Sequence, residues 1–343
     1  MRKEKIIAII ESALKKKHIH GIVLGLEVPS KNVELYHAAG NFSTDSKYYI
    51  ASINKLIVSA IILRYIAQGK LFFNDLLVHY LPKEYKEGLH IFKNSDYTPT
   101  ITIQHLLTQT SGLPCYLSDK PAYGISGMNE LEGGIDRPWP IDEVIERVRQ
   151  LQPHFIPGEA NKAKYIDTNH QLLGFVIESI EQKPMAEVLS NVFRELNMKD
   201  SYVFTELNDT NFIFPYMKDE QADIRKFMAS TQNDIISTAK DQMIFIRAFY
   251  DGHFYPKEKL KELEVWNNIF FPFRYGIGIQ QFYTPRFLSP FKKVPPMVGH
   301  CGSTGTFMFY IRELDLFVTG TTNQQANPQA AFQTIMRIVY SMI

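Results

Sequence analysis

The chain has 343 residues, 45% hydrophobic and 21% charged, the balance of a folded globular protein and not of a disordered one. At roughly 100–200 residues per domain this length predicts about two structural units. Lys and Arg number 37 against 36 Asp and Glu, a net charge of +1, so no basic field marks nucleic acid or an anionic membrane as a partner.

The N-terminal IIAIIESAL places Ile6, Ile7, Ile10 and Leu14 at helical spacing, with charges interrupting the apolar run. It therefore reads as an amphipathic helix and not as a secretory signal, which gives the expectation of a cytoplasmic protein. GIVLGLEV and VELYHAAG follow as two strands separated by the turn-rich PSKN. A third strand, KYYIA, runs directly into a helix from about Ser52 to Gly69, the glycine being its terminator. The apolar part of that helix, LIVSAIILRYIAQGK, is broken by Arg64 and falls short of the roughly 18 residues a membrane span requires.

From there to about residue 225 the pattern is helical with long loops: ITIQHLLTQ, PIDEVIERVRQL, NHQLLGFVIESIEQ and MAEVLSNVFREL all show three-to-four-residue apolar spacing. STAKDQMIFIRAFYDG is a further helix ended by Gly252. YGIGIQQFYT, PPMVGHCG and TFMFYIRELDLFVTGTTNQ then read as strands, ELD making a hairpin turn, and AFQTIMRIVYSM closes the chain as a helix. The expected fold class is α+β. One antiparallel sheet is assembled from both termini and flanked by helices, in an α/β part of about residues 1–75 and 226–343. A mostly helical subdomain of about residues 76–225 is inserted, and the whole of 1–343 makes one domain, with the cleft between its parts the place to look for a site.

Ser-x-x-Lys sets a hydroxyl and an amine one helical turn apart, where a lysine of lowered pKa can take the serine's proton. The spacing occurs four times, and context separates the cases. Ser12/Lys15 lies on a surface helix, Ser289 precedes Pro290 in a loop, and Ser237, before Lys240, reads as a helix cap. Ser52/Lys55 alone sits where a strand turns into an apolar helix, with free backbone N–H groups beside the hydroxyl and Lys55 buried.

Two further segments stand in order behind this pair. FIPGEANKAKYIDTNHQLLGFVIE carries Tyr165 and Asp167 between a Pro-Gly turn and a Leu-Leu-Gly helix, and GHCGSTG carries His300, Cys301, Gly302 and Ser303 on a C-terminal strand. With them the sequence resembles the serine β-lactamase and penicillin-binding-protein-like family, specifically the class C β-lactamase, D-Ala-D-Ala carboxypeptidase and esterase group. The Ser-x-x-Lys, Tyr-x-Asn and Lys-Thr-Gly or His-x-Gly motifs of that group fall on these residues. HLLTQTSGLP, ISTAKDQMIFIRAF, YGIGIQQF and DLFVTGTTNQ extend the likeness over almost the whole chain without adding chemistry.

The resemblance implies a β-lactamase/transpeptidase-like fold and a serine hydrolase forming an acyl-enzyme on Ser52. Lys55 and Tyr165 move its proton, Asp167 and Gly302 contact substrate, His300 lines the opposite wall and orients Tyr165 or the substrate, and the backbone N–H groups of Ser52 and Ser303 form the oxyanion hole. It implies no metal or organic cofactor, and a small-molecule or short-peptide substrate: an ester, a D-amino-acid amide or peptide, or a β-lactam. The rival functions are an acyltransferase using the same acyl-enzyme and a non-catalytic, penicillin-binding sensor-like protein. Two residues depart from the pattern. Asp167 replaces a neutral Asn, which favours the Lys55 ammonium and shifts duty to Tyr165 as phenolate or relay. Histidine in place of lysine at 300 removes the cation that would hold a substrate carboxylate.

Overall fold

Alternation of apolar and polar positions drives both ends of the chain into one sheet. The computed structural model describes residues 3–343 apart from 232, 290 and 291, so that Pro290, expected in a loop, lies outside the described residues. Gly21–Val28 (β1) and Val33–Gly40 (β2) pair antiparallel through Gly21↔Gly40 to Val28↔Val33. From the C-terminal part come Asn267–Phe270 (β3), Phe273–Tyr275 (β4), Gln280–Phe282 (β5), Met297–Cys301 (β6), Thr306–Ile311 (β7) and Leu316–Thr321 (β8). The order across the sheet is β3-β4-β5-β6-β7-β8-β1-β2, every neighbour antiparallel, with β8 beside β1 joining the two ends of the sequence. The molecule is thus the α+β protein expected.

Two features of the sheet differ from the sequence reading. YGIGIQQF makes two strands and not one: Gly276 N–H donates to the Ile279 carbonyl and Gly278 takes φ +72°, a reversal glycine adopts without steric cost. A side chain at Gly278 would also meet Ser59 Cβ at 2.6 Å. KYYIA contributes only Tyr48–Tyr49 as strand, in a separate small sheet with Tyr202–Val203 and Ile235–Ser237.

The period of two divides the large sheet into faces. Ile22, Leu24 and Leu26 of β1 and Phe307, Phe309 and Ile311 of β7 pack with Ile6, Ile9 and Ile10 of helix α1 (Lys3–Glu11). Ile335, Ile338 and Val339 of the last helix complete that layer. Val23, Met308 and Phe317 face the other way, into a core built on α2 (Asn54–Ala67), α3 (Thr168–Glu181) and α4 (Ala239–Tyr250). The last helix, α5, spans Gln329–Met342. Helix α2 is buried along nearly its whole length, which is why its sequence is apolar all round. Thr238, not Ser237, caps α4 by accepting from Asp241 N–H, while Ser237 ends a strand and bonds Ser201.

Ile338 is fully buried between α5 and the sheet. Ile338→Ala should therefore cost about 2–5 kcal/mol, the usual penalty for an Ile-to-Ala cavity. Urea unfolding followed by circular dichroism measures it, and a loss below about 1 kcal/mol would mean that α5 contributes little to the core.

Candidate active site

Ser52 is delivered by a tight turn. After Tyr48–Tyr49 the chain enters a 3-10 turn, Ala51–Ile53, before α2 starts at Asn54, so Ser52 stands two residues ahead of the helix it was expected to begin. Ala51 is held at φ +50°, a left-handed conformation that costs a non-glycine residue about 1–3 kcal/mol. Gly302 packs directly against this turn: a Cβ there would lie 2.9 Å from both Ala51 Cβ and the Ile50 carbonyl oxygen. Only glycine lets the strand end approach the nucleophile's backbone this closely.

Lys55, in the first turn of α2, is 6% exposed. Its Nζ lies 3.0 Å from Ser52 Oγ, 2.8 Å from Asp167 Oδ1 and 5.5 Å from the centre of the Tyr165 ring. Burial works against the ammonium, but the charge and hydrogen bond of Asp167 outweigh it, and the Lys55 pKa stands above its ordinary value. Lys55 is therefore a cation that donates to both Ser52 and Asp167. Burial first, and then Asp167, push the Tyr165 phenol well above its ordinary pKa, although the Ser52 hydroxyl beside it opposes the shift. Of the two roles expected at Tyr165, phenolate or relay, the phenolate is consequently not its resting form. The nearby carboxylate repels a second negative charge.

Tyr165 and Asp167 are positioned by the segment HLLTQTSGLP. Gln109 Oε1 accepts from Ile166 N–H (2.9 Å) and from Asn169 Nδ2 (2.8 Å), and its carbonyl accepts from Lys164 N–H. Ser111 Oγ donates to Asn169 Oδ1, and Thr168 Oγ1 donates to the Pro114 carbonyl. Asp167 occupies the N-cap position of α3, yet its side chain does not cap the helix. Its Oδ2 instead accepts from the Cys115 thiol at 3.2 Å, while its own N–H lies 3.3 Å from Cys115 Sγ. Both Cys115 and Cys301 are free thiols, and burial pushes each up to about 12.

His300 corrects the sequence reading. Expected on the substrate wall, it is fully buried and does not line the cleft. Alternation along β6 turns its ring, with Val298, toward the helical core. Its Nδ1 donates to the Cys301 carbonyl (2.8 Å), so Nε2 accepts from the Tyr275 hydroxyl (3.2 Å). Burial, reinforced by the Lys55 charge, lowers its pKa to about 3. The ring is a neutral prop, 6.1 Å from the Tyr165 ring centre and 5.7 Å from that of Tyr275.

Ser52, Lys55, Tyr165, Asp167, Gly302 and the exposed Ser303 all border one cavity of about 610 Å³. The sequence reading missed much of its wall. Phe270, Phe273, Phe282 and Phe332 form one aromatic side, with ring centres 5.0–5.3 Å apart. Aromatics on strands and on the last helix carry no local signal that they converge on one cavity. Tyr49, Asn54 and Asp234 were also unforeseen. Tyr116 also lines the cleft, whereas Trp139 is core and Tyr123 is exposed outside it.

Comparison with known proteins places this geometry. The family model described as Beta-lactamase matches residues 6–340. The chain belongs to the Beta-lactamase family. Among curated relatives, esterase EstB of Burkholderia gladioli is 27% identical over 231 residues, covering 64% of this chain and 55% of EstB. Protein flp of Staphylococcus aureus (strain MW2) is 28% identical over 219 residues, 61% of this chain and 39% of flp. The chain thus spans only part of the length of these relatives. Among solved structures, the D-amino acid amidase of Ochrobactrum anthropi SV3 superposes with a TM-score of 0.77 at 20% identity, covering 98% of this chain and 99% of that one. A D-stereospecific amidohydrolase from Streptomyces gives 0.76 at 21%, covering 96% and 97%. At these identities the likeness establishes a shared fold.

The Gln109 staple has a direct consequence. Gln109→Leu leaves the Ile166 N–H and the Asn169 amide unpaired, at about 1–3 kcal/mol for each buried group. Thermal unfolding should show a clear drop in Tm. An unchanged Tm would mean the Tyr165–Asp167 turn is held without this side chain.

Proposed function

We propose that this protein is a serine hydrolase that forms an acyl-enzyme on Ser52 and acts on an ester or a D-amino-acid amide. The observation that carries the reading is the hydrogen-bonded line Ser52 Oγ–Lys55 Nζ–Asp167 Oδ1, at 3.0 and 2.8 Å, beside the Tyr165 phenol. As Ser52 Oγ bonds the substrate carbonyl carbon, its proton passes to Lys55 while Lys55 hands one to Asp167. Lys55 stays an ammonium, Asp167 becomes the acid, and the carbonyl π-pair becomes an oxyanion. The backbone N–H groups of Ser52 and Ser303 would hold that oxyanion, each such donor being worth about 2.7–4 kcal/mol. On collapse the C–O or C–N bond breaks, and the proton returns through Lys55 and the Tyr165 hydroxyl to the leaving alcohol or amine. Water hydrolyses the acyl-enzyme by the same path. In this reading Asp167 serves as the proton's terminal acceptor and not merely as a brake on Lys55.

Turnover of β-lactams is the less favoured reading. Among the described residues lining the cleft Lys55 is the one lysine or arginine, it is already paired, and His300 is neutral and buried. A β-lactam carboxylate would find no free cation.

Intact mass after treatment with a fluorophosphonate, and separately with benzylpenicillin, tests the nucleophile. The expected result is one fluorophosphonate adduct on the wild type that disappears in Ser52→Ala, with no lasting penicillin adduct. Absence of any adduct on folded protein would favour a binding role without turnover. The relay is tested by Asp167→Asn on an aryl ester at pH 7.5. Losing a general-base partner should lower kcat/KM by about 100-fold or more. A rise would show that Asp167 only restrains Lys55, since removing the anion leaves burial to lower the lysine pKa and free its amine.

A further inference from the structure

Asp234 is a buried carboxylate that the acyl-transfer scheme does not use. It lies just before the strand Ile235–Ser237, is 4% exposed and borders the same cavity as Ser52. Its Oδ1 accepts from the Tyr49 hydroxyl and its Oδ2 from the Thr231 hydroxyl, both at 2.8 Å. A carboxylate offers about four acceptor positions, so two remain. No salt bridge reaches it among the described residues, whereas Asp167 has Lys55. Asn54, 7% exposed, borders the same cavity and is tied to the residue before Asp234: its amide nitrogen donates to the Asn233 carbonyl, and its Oδ1 has no partner among the described residues.

The charges of the cleft do not cancel. Among its described lining residues the ionisable side chains of fixed sign are Lys55, Asp167 and Asp234, one cation against two anions. Lys55 and Asp167 neutralise each other, and the remaining walls are mainly apolar and aromatic. An isolated carboxylate in such surroundings is costly unless a cation joins it. Burial does raise the Asp234 pKa to about 6, which still leaves it ionised at neutral pH.

We propose that the Asp234 and Asn54 end of the cleft binds a primary ammonium group, so that the substrates are acyl compounds bearing a free amine, amino-acid amides or esters, and not simple alkanoate esters. This rests on the hydrolase reading given above for the identity of the scissile bond, but the ammonium site is measurable without turnover. The ammonium supplies the donors and the charge that Asp234 and the Asn54 carbonyl lack. A neutral or N-acylated analogue supplies no charge.

Calorimetry on Ser52→Ala protein at pH 7.0 decides it, with phenylalaninamide compared with 3-phenylpropanamide, the same skeleton without the amine. The expected result is binding of the amine at least about ten-fold tighter, in the range of a hydrogen bond to a charged group. In Ser52→Ala/Asp234→Asn the preference should shrink to within about three-fold. Equal affinities, failure of the amine to bind, or a preference that survives Asp234→Asn would each overturn the proposal. Should Asp234→Asn fail to fold, the two-ligand comparison on Ser52→Ala alone still decides. Fluorophosphonate labelling of the wild type separates the two readings: labelling without an amine preference sinks only the ammonium site, and an amine preference without labelling sinks only the hydrolase.

Discussion

The buried pair of Lys55 and Asp167 is the constraint on which the rest of the cleft depends. Two charges withdrawn from water repay their desolvation only when the geometry is good and their remaining hydrogen-bonding capacity is used. Both conditions are met. The second Asp167 oxygen takes the Cys115 thiol, and the Lys55 ammonium also reaches Ser52. The pair joins the first turn of α2 to the start of α3, and so fixes the nucleophile relative to Tyr165. Its ammonium also acts at a distance: added to burial, it holds both His170 and His300 neutral. The two imidazoles can then serve as hydrogen-bonding props, His170 near Ser59 and His300 under Tyr275, without placing further cations around Lys55.

Such a pair requires rigid surroundings, and two left-handed non-glycine residues stand in the segments that carry it. Ala51 is left-handed immediately before Ser52, and Gln109 is left-handed within the segment that positions Tyr165 and Asp167. Gly112 at φ +68° lies where a Cβ would come within 1.9 Å of the Phe155 carbonyl. Strain of this kind persists only where neighbours over-determine the conformation. Here those neighbours are the Gln109 and Ser111 hydrogen bonds and the close approach of Gly302.

What was legible in the sequence follows from this division. Elements with a clear period, such as β1, β2, the β7–β8 hairpin and the long helices, were readable because each buries one face or is buried all round. Ser52, Lys55, Tyr165 and Asp167 were readable through short motifs in context, since each lies at an element boundary. HLLTQTSGLP matched a pattern without an evident job, and its job is the staple around Gln109, which depends on contacts about 60 positions away in sequence. The orientation of His300 and the aromatic wall were not readable. They depend on which sheet face a strand presents and on α5 returning Phe332 to the cleft wall. Asp234 carried no signal, because a lone aspartate in a loop reads as solvated until its burial is known.

The two departures from the family pattern combine into one electrical change. At position 300 a neutral imidazole stands where the pattern has lysine, and at 167 a carboxylate stands where it has a neutral amide. One positive charge is removed and one negative charge is added. Pairing with Lys55 hides the second of these, so that viewed from the cavity the Ser52–Lys55–Asp167 line is neutral, and the first leaves no cation to face a substrate. Asp234 then sets the sign of the cleft. In an apolar cavity the effective dielectric is low and a single uncompensated charge dominates selection among ligands of similar shape. A site built this way disfavours an anionic acyl compound through desolvation and repulsion together. Likeness in fold to the proteins compared above is therefore no guide to charge preference, which has to be read from the groups lining this particular cleft.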